Sequence, residues 1–465
     1  MKENVLRSHW IYNAGLGVEK ILIIPIFALF ITMLSFSHQD AQAASYELQI
    51  GDTNGACEAI GGTWGSSVYF GGSNTCSLTS GLNLSAGDSL TIDSGVILEP
   101  HAIITNYGNI TSSGTINTDH PINNYDIINN NPGARIFTGL IGSLNTINNY
   151  GTINNSGAIN GDIGDTLNNY GVVNNNSVGI IGGYDAGQIN NTSSGIINNS
   201  GSMDIDGLIS NSGTINNNSG GIIREVEPES GINNSGVINN KSGSTIQVID
   251  EGALRNNAGG IINNDAGGII TNAGIFGELF GGTVDNFGTI NNSGTVTTGI
   301  SDIRYAGTVN NSGTINNSSG GTIDNLGILN NSGTINNSGT IDNSSGTFVN
   351  SGNIFNQCGG TFISGNNFTG NPVIDACKPD PTQATKNLKG TIDAMGLQHG
   401  TANSLDAKLN AVISSLNGGN CITAKSQLNA FINEVNAQTG NKNLSQTQAN
   451  TLSSAAQSIL NSLSC

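Results

Sequence analysis

The stretch LGILNNSGTINNSGTIDNSSGTFVNSGNI, residues 326–354, decides the fold. An aliphatic or aromatic residue stands two positions after each glycine, and the glycines recur every six or seven residues, at Gly327, Gly333, Gly339, Gly346 and Gly352. One apolar residue in six matches neither an amphipathic helix nor a regularly alternating strand. Short strands that turn at Asn-Ser-Gly and stack on copies of themselves bury that residue in a continuous column. The pattern therefore predicts a mainly β fold, a single-stranded parallel β-helix (β-solenoid).

Looser copies of the unit GTINNS extend this prediction to residues 81–357. Three short strands per coil of about 20 residues would give roughly 14 coils and a rod roughly 70 Å long. The general preference for right-handed crossovers favours the right-handed form. A left-handed hexapeptide helix is the alternative, because a six-residue unit suits that fold as well.

Each residue type in the unit has a structural reason. Glycine allows a corner with positive φ or close backbone approach, and the β-branched Thr and Ile suit strands. Asn side chains can hydrogen-bond from coil to coil. Asp285, Asp324 and Asp342 stand at Asn positions of the unit and are interpreted as substitutes for Asn. The regular aliphatic residues argue against the alternative of disordered low complexity.

The first 44 residues have the order of a secretory signal peptide. Lys2, Arg7 and Lys20 precede the apolar run at residues 21–36, and small residues follow at Ala41 and Ala43. We expect cleavage after Ala43 or Ala44, and an uncleaved membrane anchor is the alternative. With no second apolar run of this kind, the mature chain is predicted to be secreted or on the cell surface and not integral to the membrane.

Six cysteines follow the leader and form three local couples, which predicts disulfides rather than a metal site in an exported chain. The expected pairs are Cys57–Cys76, Cys358–Cys377 and Cys421–Cys465. Residues 45–80 are predicted to be a disulfide-bounded cap on the rod. Residues 358–381 are predicted to be a second cap followed by a linker.

Five stretches interrupt the repeat and are expected to project as loops or longer coils: residues 119–144, 161–188, 224–230, 247–255 and 297–306. Loops on a rigid scaffold are common sites of binding. These stretches concentrate charged and aromatic residues at Asp162, Asp165, Asp185, Arg224, Glu225, Glu227, Glu229, Asp250, Glu251, Asp302, Arg304 and Tyr305. The alternative is that the charged tips are merely solvated.

Residues 382–465 change to a helical period and predict a bundle of four helices. Ser445-Gln-Thr-Gln448 has the form of a capping box at the start of the fourth helix. The segments LNAFINEVNAQ, residues 428–438, and LSQTQANTL, residues 444–452, resemble the FIMAH domain, a small helical module at the C-termini of exported bacterial and archaeal proteins. The resemblance implies an extracellular accessory module without assigned catalytic residues. More loosely, the repeat region resembles pectin-lyase-like β-helices and the repetitive stalks of surface adhesins.

The net charge of −18, without a basic patch, argues against nucleic acid as a partner. His101, His120 and His399 are isolated, and no phosphate loop, zinc motif or nucleophile motif is present. The sequence predicts no catalytic, cofactor-binding or metal-binding residue. We expect a non-enzymatic structural or adhesion protein that contacts envelope or extracellular polysaccharide or other surface proteins. The alternative is a polysaccharide-active lyase or hydrolase, or a carbohydrate-binding β-helix without catalysis.

Overall fold

The structure is a computed structural model. It describes residues 43–65, 73–139, 145–161, 165–183, 187–225, 230–249, 251–272, 281–299, 306–377, 380–440 and 443–463. The predicted leader therefore lies outside the described residues, except for Ala43 and Ala44. Among the described residues, no helix is long and apolar enough to cross a membrane.

From Ser45 to Asp375 the chain winds into a parallel β-solenoid with three faces, as the repeat predicts. The described strands form three sheets of 15, 15 and 14 strands, and successive strands along the chain pass from sheet 1 to sheet 2 to sheet 3. All pairs are parallel except the β2–β3 pair in the N-terminal cap, Thr63–Gly65 with Thr75–Leu78. The predicted β-helix is confirmed, with one sheet-3 strand per coil giving about the expected number of coils. The right-handed sense stays a prediction.

Sheet 1 contains β1 Ser45–Leu48, β5 Ser89–Ile92, β8 Asn109–Ser112, β11 Ile127–Asn130, β14 Thr152–Asn155, β17 Val172–Asn175, β20 Ile196–Asn199, β23 Thr214–Asn217, β26 Val237–Asn240, β29 Ile261–Asn264, β32 Thr289–Asn292, β35 Thr314–Asn317, β38 Thr334–Asn337, β41 Asn353–Asn356 and β44 Ile374–Asp375. Sheet 2 contains β2 Thr63–Gly65, β3 Thr75–Leu78, β6 Ile97–Pro100, β9 Thr115–Thr118, β12 Arg135–Thr138, β15 Ala158–Gly161, β18 Ile180–Gly183, β21 Ser202–Ile205, β24 Ile222–Glu225, β27 Thr245–Val248, β30 Ile269–Thr271, β33 Thr295–Thr297, β36 Thr322–Asp324, β39 Thr340–Asp342 and β42 Thr361–Ile363. Sheet 3 contains β4 Leu82–Leu84, β7 Ile104–Asn106, β10 Ile122–Asn124, β13 Thr146–Asn149, β16 Thr166–Asn169, β19 Gln188–Asn191, β22 Leu208–Asn211, β25 Gly231–Asn234, β28 Ala253–Asn256, β31 Thr283–Asn286, β34 Thr308–Asn311, β37 Ile328–Asn331, β40 Thr347–Asn350 and β43 Phe368–Gly370.

The core of the rod is three columns of aliphatic side chains, one from each sheet. In the T-I-N-N strands the second residue points inward, and the register places it directly over its counterpart, as for Ile315 on Ile335. Both of these side chains are buried, as are Ile323 and Leu329 from the other two sheets of the same region. The single apolar residue of the six-residue unit is therefore sufficient to fill the interior when three units make one coil.

A small disulfide-linked cap closes the N-terminal end. Helix α1, Ala56–Ala59, carries Cys57, which is bonded to Cys76 in β3, and both sulfur-bearing side chains are fully buried. Strand β1 belongs to this segment yet pairs with β5 of the rod. The aromatic residues Tyr69 and Phe70 of the predicted cap lie outside the described residues.

The second predicted disulfide, Cys358–Cys377, is also present. It spans the last coil, where Phe348, Phe362 and Phe368 pack together with ring centroids 5.4–5.8 Å apart. The third predicted pair includes Cys465, which lies outside the described residues, so that pairing stays a prediction.

Four helices follow the rod, as the helical period predicts: α2 Pro381–Ala394, α3 His399–Asn417, α4 Cys421–Gly440 and α5 Gln446–Ser462. Their apolar faces share one core, which includes Leu388, Leu409, Phe431 and Leu452. The predicted capping box is confirmed. The Gln448 backbone N–H donates to the Ser445 hydroxyl at 3.2 Å, and the Ser445 N–H donates to the Gln448 side-chain oxygen at 2.9 Å.

Candidate functional site

The rod has three corners, and two of them have nearly constant length. The first corner joins sheet 1 to sheet 2, and the third joins sheet 3 to sheet 1. Between regular coils both corners contain two or four residues, such as residues 212–213 or 257–260 at the third corner. Buried side chains that line both corners help to restrict them to these two lengths.

A ladder of buried asparagines runs inside the third corner. It comprises the last residue of twelve consecutive sheet-3 strands: Asn106, Asn124, Asn149, Asn169, Asn191, Asn211, Asn234, Asn256, Asn286, Asn311, Asn331 and Asn350. Each Nδ2 donates to the Oδ1 of the next Asn at 2.7–2.8 Å. The amides therefore satisfy one another in an interior that would not tolerate unpaired polar groups.

A second ladder of the same kind runs inside the first corner. Its members are Asn130, Asn155, Asn175, Asn199, Asn217, Asn240, Asn264, Asn292, Asn317, Asn337 and Asn356, again joined at 2.7–2.8 Å. This coil-to-coil hydrogen bonding confirms the role predicted for Asn in the repeat.

The ladders fix the length of the corners because each amide also bonds the backbone beyond the corner. Asn234 accepts from Asn211, donates to Asn256, and donates with the same Nδ2 to the carbonyl of Ile261 at 3.1 Å. Ile261 is the first residue after the third corner of the following coil. A longer connection would move that carbonyl and leave buried hydrogen-bonding groups without partners.

The remaining corner, between sheets 2 and 3, varies in length from residues 206–207 to residues 272–282. We call these connections the variable edge; they are residues 79–81, 101–103, 119–121, 139–145, 162–165, 184–187, 206–207, 226–230, 249–252, 272–282, 298–307, 325–327, 343–346 and 364–367. Each of them joins a strand of sheet 2 to the next strand of sheet 3. Every connection of more than four residues between regular coils therefore joins these same two sheets.

The inner ladder is interrupted at this edge. Thr118, Thr138 and Val248 end sheet-2 strands where the other two sheets have Asn, and all three are buried. Asn325 and Asn343 restore an amide pair near the C-terminal end, with the Nδ2 of Asn325 donating to the Oδ1 of Asn343. The connections that begin at these two residues are short. The longest connection, residues 272–282, also begins at a buried Asn, but Asn272 is not part of an amide ladder: its Nδ2 donates to the carbonyl of Thr308 at 2.8 Å.

The predicted interruptions are shorter than expected, because strands continue through most of them. Residues 119–144, for example, contain β10, β11 and β12, and only the connections at the variable edge depart from the regular coil. Of the predicted charged residues, Asp165 and Glu251 lie on this edge, and Arg224 and Glu225 end a sheet-2 strand beside it. The other eight, Asp162, Asp185, Glu227, Glu229, Asp250, Asp302, Arg304 and Tyr305, lie outside the described residues.

Charged side chains of both signs border the variable edge. His120 Nδ1 lies 2.8 Å from Asp119 Oδ1, and His101 Nδ1 lies 3.7 Å from the same oxygen. Arg224 lies 3.6 Å from Asp204 on the adjacent coil. Such partly exposed pairs contribute little to stability. Within the part of the chain that the structure describes, no group of three potential ligands could hold a metal ion.

Two acidic residues on the outer face of sheet 2 differ in their electrostatic environment. Asp324 and Asp342 are paired in register on neighbouring coils. Burial, and then the nearby Asp342 carboxylate, raise the pKa of Asp324. Hydrogen bonds from Ser344 lower the pKa of Asp342, whose Oδ1 accepts from the Ser344 N–H at 2.8 Å. Their counterpart Asp285 accepts from the Asn310 amide at 2.8 Å, which is consistent with its interpretation as an Asn substitute.

The third corner carries an aromatic feature that is not among the sequence-based predictions. Tyr107, Tyr125, Tyr150 and Tyr170 each follow the last Asn of a sheet-3 strand on four successive coils. Their rings are stacked with centroids 4.6–4.9 Å apart and interplanar angles of 6–11°. We call these four residues the tyrosine stack. The recurring pair Asn-Tyr before Gly or Asp is the signal that could have revealed it.

Comparison with known proteins identifies a family for the C-terminal helices alone. No curated protein matches the chain significantly. Residues 382–461, which hold the four helices, match the family model of the FIMAH domain, as the sequence resemblance predicts.

Proposed function

We propose that this chain is an exported, non-enzymatic surface or extracellular protein in which the β-helix rod presents the variable edge for adhesion. The partners we infer are envelope or extracellular polysaccharide or other surface proteins. One observation carries the proposal: every connection of more than four residues between regular coils joins sheet 2 to sheet 3, whereas the other two corners contain two or four residues. A rigid scaffold with all its variation on one side suits recognition by loops.

The remaining features support an extracellular setting. Two disulfides staple the two ends of the rod, and stable disulfides belong to oxidising compartments. The FIMAH match covers residues 382–461, directly after the rod, and an extracellular accessory role for this helical module is part of the proposal. The polar surface relies on amides and hydroxyls rather than ions, with only 10% charged residues in the chain.

The proposal is tested by shortening the variable edge. In the test variant, residues 272–282 and 298–307 are replaced by the sequence Asn-Leu-Gly of residues 325–327. In the matched control, the third-corner residues 257–260 are replaced by the Ser-Gly of residues 312–313. Binding of the purified full chain to cells and to isolated envelope polysaccharide is measured for each variant. We expect the edge variant to lose binding while the control and the wild type bind alike, with unchanged circular dichroism in all three. Equal loss in both variants, or no loss in the edge variant, would contradict the proposal.

A polysaccharide-active enzyme is the second candidate, and the Asp324–Asp342 pair favours it. Two neighbouring carboxyl groups with opposite pKa shifts are the arrangement that glycoside hydrolysis uses for its acid and its base or nucleophile. The pair lies on the outer face of a regular sheet. Incubation with pectins, alginates and glucans tests this candidate. Release of oligosaccharides by the wild type, abolished in Asp324→Asn and Asp342→Asn, would establish the enzyme and overturn the non-enzymatic proposal.

A further inference from the structure

The tyrosine stack is a local addition to the rod and is not needed to form its corner. On several later coils, the position after the last Asn of the sheet-3 strand is a serine, as at Ser212, Ser235 and Ser312, and a single aromatic residue, Phe287, stands there without a neighbouring ring on the adjacent coils. The corner has the same two-residue length at these positions. The four tyrosines are exposed by 38–46%. Exposed aromatic rings at four consecutive positions therefore call for an explanation other than folding.

The geometry excludes the most familiar use of exposed aromatic rings. A sugar stacks on the face of an aromatic ring, but the faces inside this stack cover one another at 4.6–4.9 Å. Only the outer faces of Tyr107 and Tyr170 remain uncovered by another ring of the stack. Along its length the tyrosine stack exposes a row of ring edges. The phenol groups on these edges therefore distinguish the site.

We propose that the tyrosine stack is a site of oxidative cross-linking between copies of this chain, through dityrosine. The oxidant is a one-electron oxidant of the peroxidase class, with hydrogen peroxide as the electron acceptor. Each of two phenols loses one electron and its hydroxyl proton, which gives two phenoxyl radicals with spin density on the ortho carbons. A carbon–carbon bond forms between two ortho carbons, and the hydrogen on each of these carbons then moves as a proton to the oxygen of its own ring, which restores two aromatic phenols. Two phenols and one hydrogen peroxide thus yield one dityrosine and two waters.

The stacked arrangement directs this coupling outward. Rings in contact can exchange an electron, so a radical formed on any one of the four can move to whichever ring meets a partner. Parallel rings 4.6–4.9 Å apart are separated by much more than a carbon–carbon bond, and their backbones are held apart by adjacent coils. Coupling within the stack is therefore disfavoured, and the bond forms with the stack of another rod.

The ionisation state of the stack agrees with this chemistry. Loss of solvent, followed by the neighbouring Tyr170 and Tyr125, raises the pKa of Tyr150. Since its pKa is raised above the usual tyrosine value of 10.0, the Tyr150 phenol is neutral at ordinary pH and brings no charge to two approaching edges. In an extracellular protein such as we propose above, the product would be a covalently joined layer of rods, but the cross-linking itself does not depend on the adhesive function.

The experiment oxidises the purified full chain with a peroxidase and hydrogen peroxide. Covalent dimers are measured on reducing, denaturing gels, dityrosine by its fluorescence, and the joined peptides by mass spectrometry. We expect dimers whose cross-linked peptides contain Tyr107, Tyr125, Tyr150 or Tyr170. The variant with all four changed to Phe keeps the ring stacking and should lose the dimers. Tyr46→Phe, on the first strand, is the matched control and should keep them.

Three results would overturn the proposal. Dimers could persist in the four-fold Phe variant, or the joined peptides could carry Tyr46, Tyr69, Tyr184 or Tyr305 instead. Dityrosine fluorescence without any covalent dimer would show coupling within one molecule. The peptide identification uses the wild-type protein alone, so it remains decisive even if the four-fold variant folds poorly.

Discussion

The first and third corners of the rod differ from the variable edge in carrying a continuous ladder of buried asparagines, and the two kinds of corner differ in how much their lengths vary. Where an inward Asn ends the strand, its amide bonds the next coil and the backbone beyond the corner, and the connection keeps two or four residues. At the variable edge the amide ladder is not continuous, since Thr118, Thr138 and Val248 take that place on three coils. The connections of more than four residues between regular coils all fall on this edge.

The largest expected difference in stability between the two kinds of corner comes from the same insertion made at two corners of one coil. We expect Gly-Ser-Gly inserted after Ser212, at the third corner, to destabilise the surrounding coils by roughly 4–5 kcal/mol, because it displaces the Thr214 carbonyl that accepts from Asn191 and breaks the adjacent ladder. The identical insertion after Asp206, at the variable edge, should change stability by less than about 0.5 kcal/mol. Denaturation combined with hydrogen exchange of the neighbouring strands measures both, since a repeat array can unfold locally. Equal effects at the two corners would disprove the role assigned to the ladder.

Removal of one amide from the ladder should have the next largest effect. In Asn234→Leu the shape of the side chain is roughly kept, but Asn211 loses its acceptor and the Ile261 carbonyl loses its donor in a fully buried site. We expect a loss of about 3–4 kcal/mol, from two or three unsatisfied buried groups. The matched control is Asn239→Leu, in the half-buried outer row, where Asn239 donates to Asn216 at 2.8 Å. Hydrogen exchange should show clearly less opening in this control, because solvent can replace its lost bonds.

Much of this architecture can be predicted from the repeat itself. The spacing of aliphatic residues in residues 326–354 indicates the inner columns, and the abundance of Asn indicates the ladders, because few other side chains can stack and satisfy themselves. Two disulfides and the capping box at Ser445 follow from local patterns of the same kind.

What the sequence does not reveal is the relation between distant copies. The six-residue unit looks the same on all three sheets, so nothing local indicates that residues 139–145 and 272–282 join the same pair of sheets. Each unit can be assigned to a sheet only by counting three strands per coil. The connections of irregular length make that count impossible from spacing alone. The tyrosine stack is missed for the same reason, since its members are separated by 18–25 residues and meet only when the coils are aligned.

Two glycine substitutions compare a corner that depends on close backbone approach with a corner that depends on a positive φ. A Cβ on Gly333, in a two-residue corner, would lie 2.1 Å from the carbonyl oxygen of Gly313 on the preceding coil. We expect Gly333→Ala to destabilise by about 2–3 kcal/mol, because that backbone cannot retreat without shifting a strand. Gly320, in a four-residue corner, has a φ of +87° and open space around its Cβ position. Gly320→Ala should cost only about 1–2 kcal/mol from backbone strain, and urea unfolding compares the two. A larger effect at Gly320 would contradict the close approach as the main constraint.

The smallest expected effect concerns the two coils in which Asn325 and Asn343 form an amide pair at the variable edge. Asp324 immediately precedes Asn325, and burial and Asp342 raise its pKa, so its ionisation opposes folding at pH values above that pKa. Asp324→Asn removes this penalty and supplies an amide that can donate to Asp342, as Asn310 donates to Asp285. We expect a gain in unfolding free energy of about 0.5–1 kcal/mol at neutral pH.

The gain should shrink as the pH falls below the pKa of Asp324, because the wild-type Asp324 carboxyl is then already neutral. At still lower pH Asp342, whose pKa is lowered, also becomes protonated, and both proteins lose its contribution equally. Asp285→Asn is the control without a gain, because Asp285 already accepts from Asn310 and lies 3.6 Å from Arg255. Unfolding midpoints of the wild type and of both variants are measured across this pH range. If the gain of Asp324→Asn persists unchanged into acid, the Asp324 and Asp342 carboxyl groups do not repel each other in the folded rod.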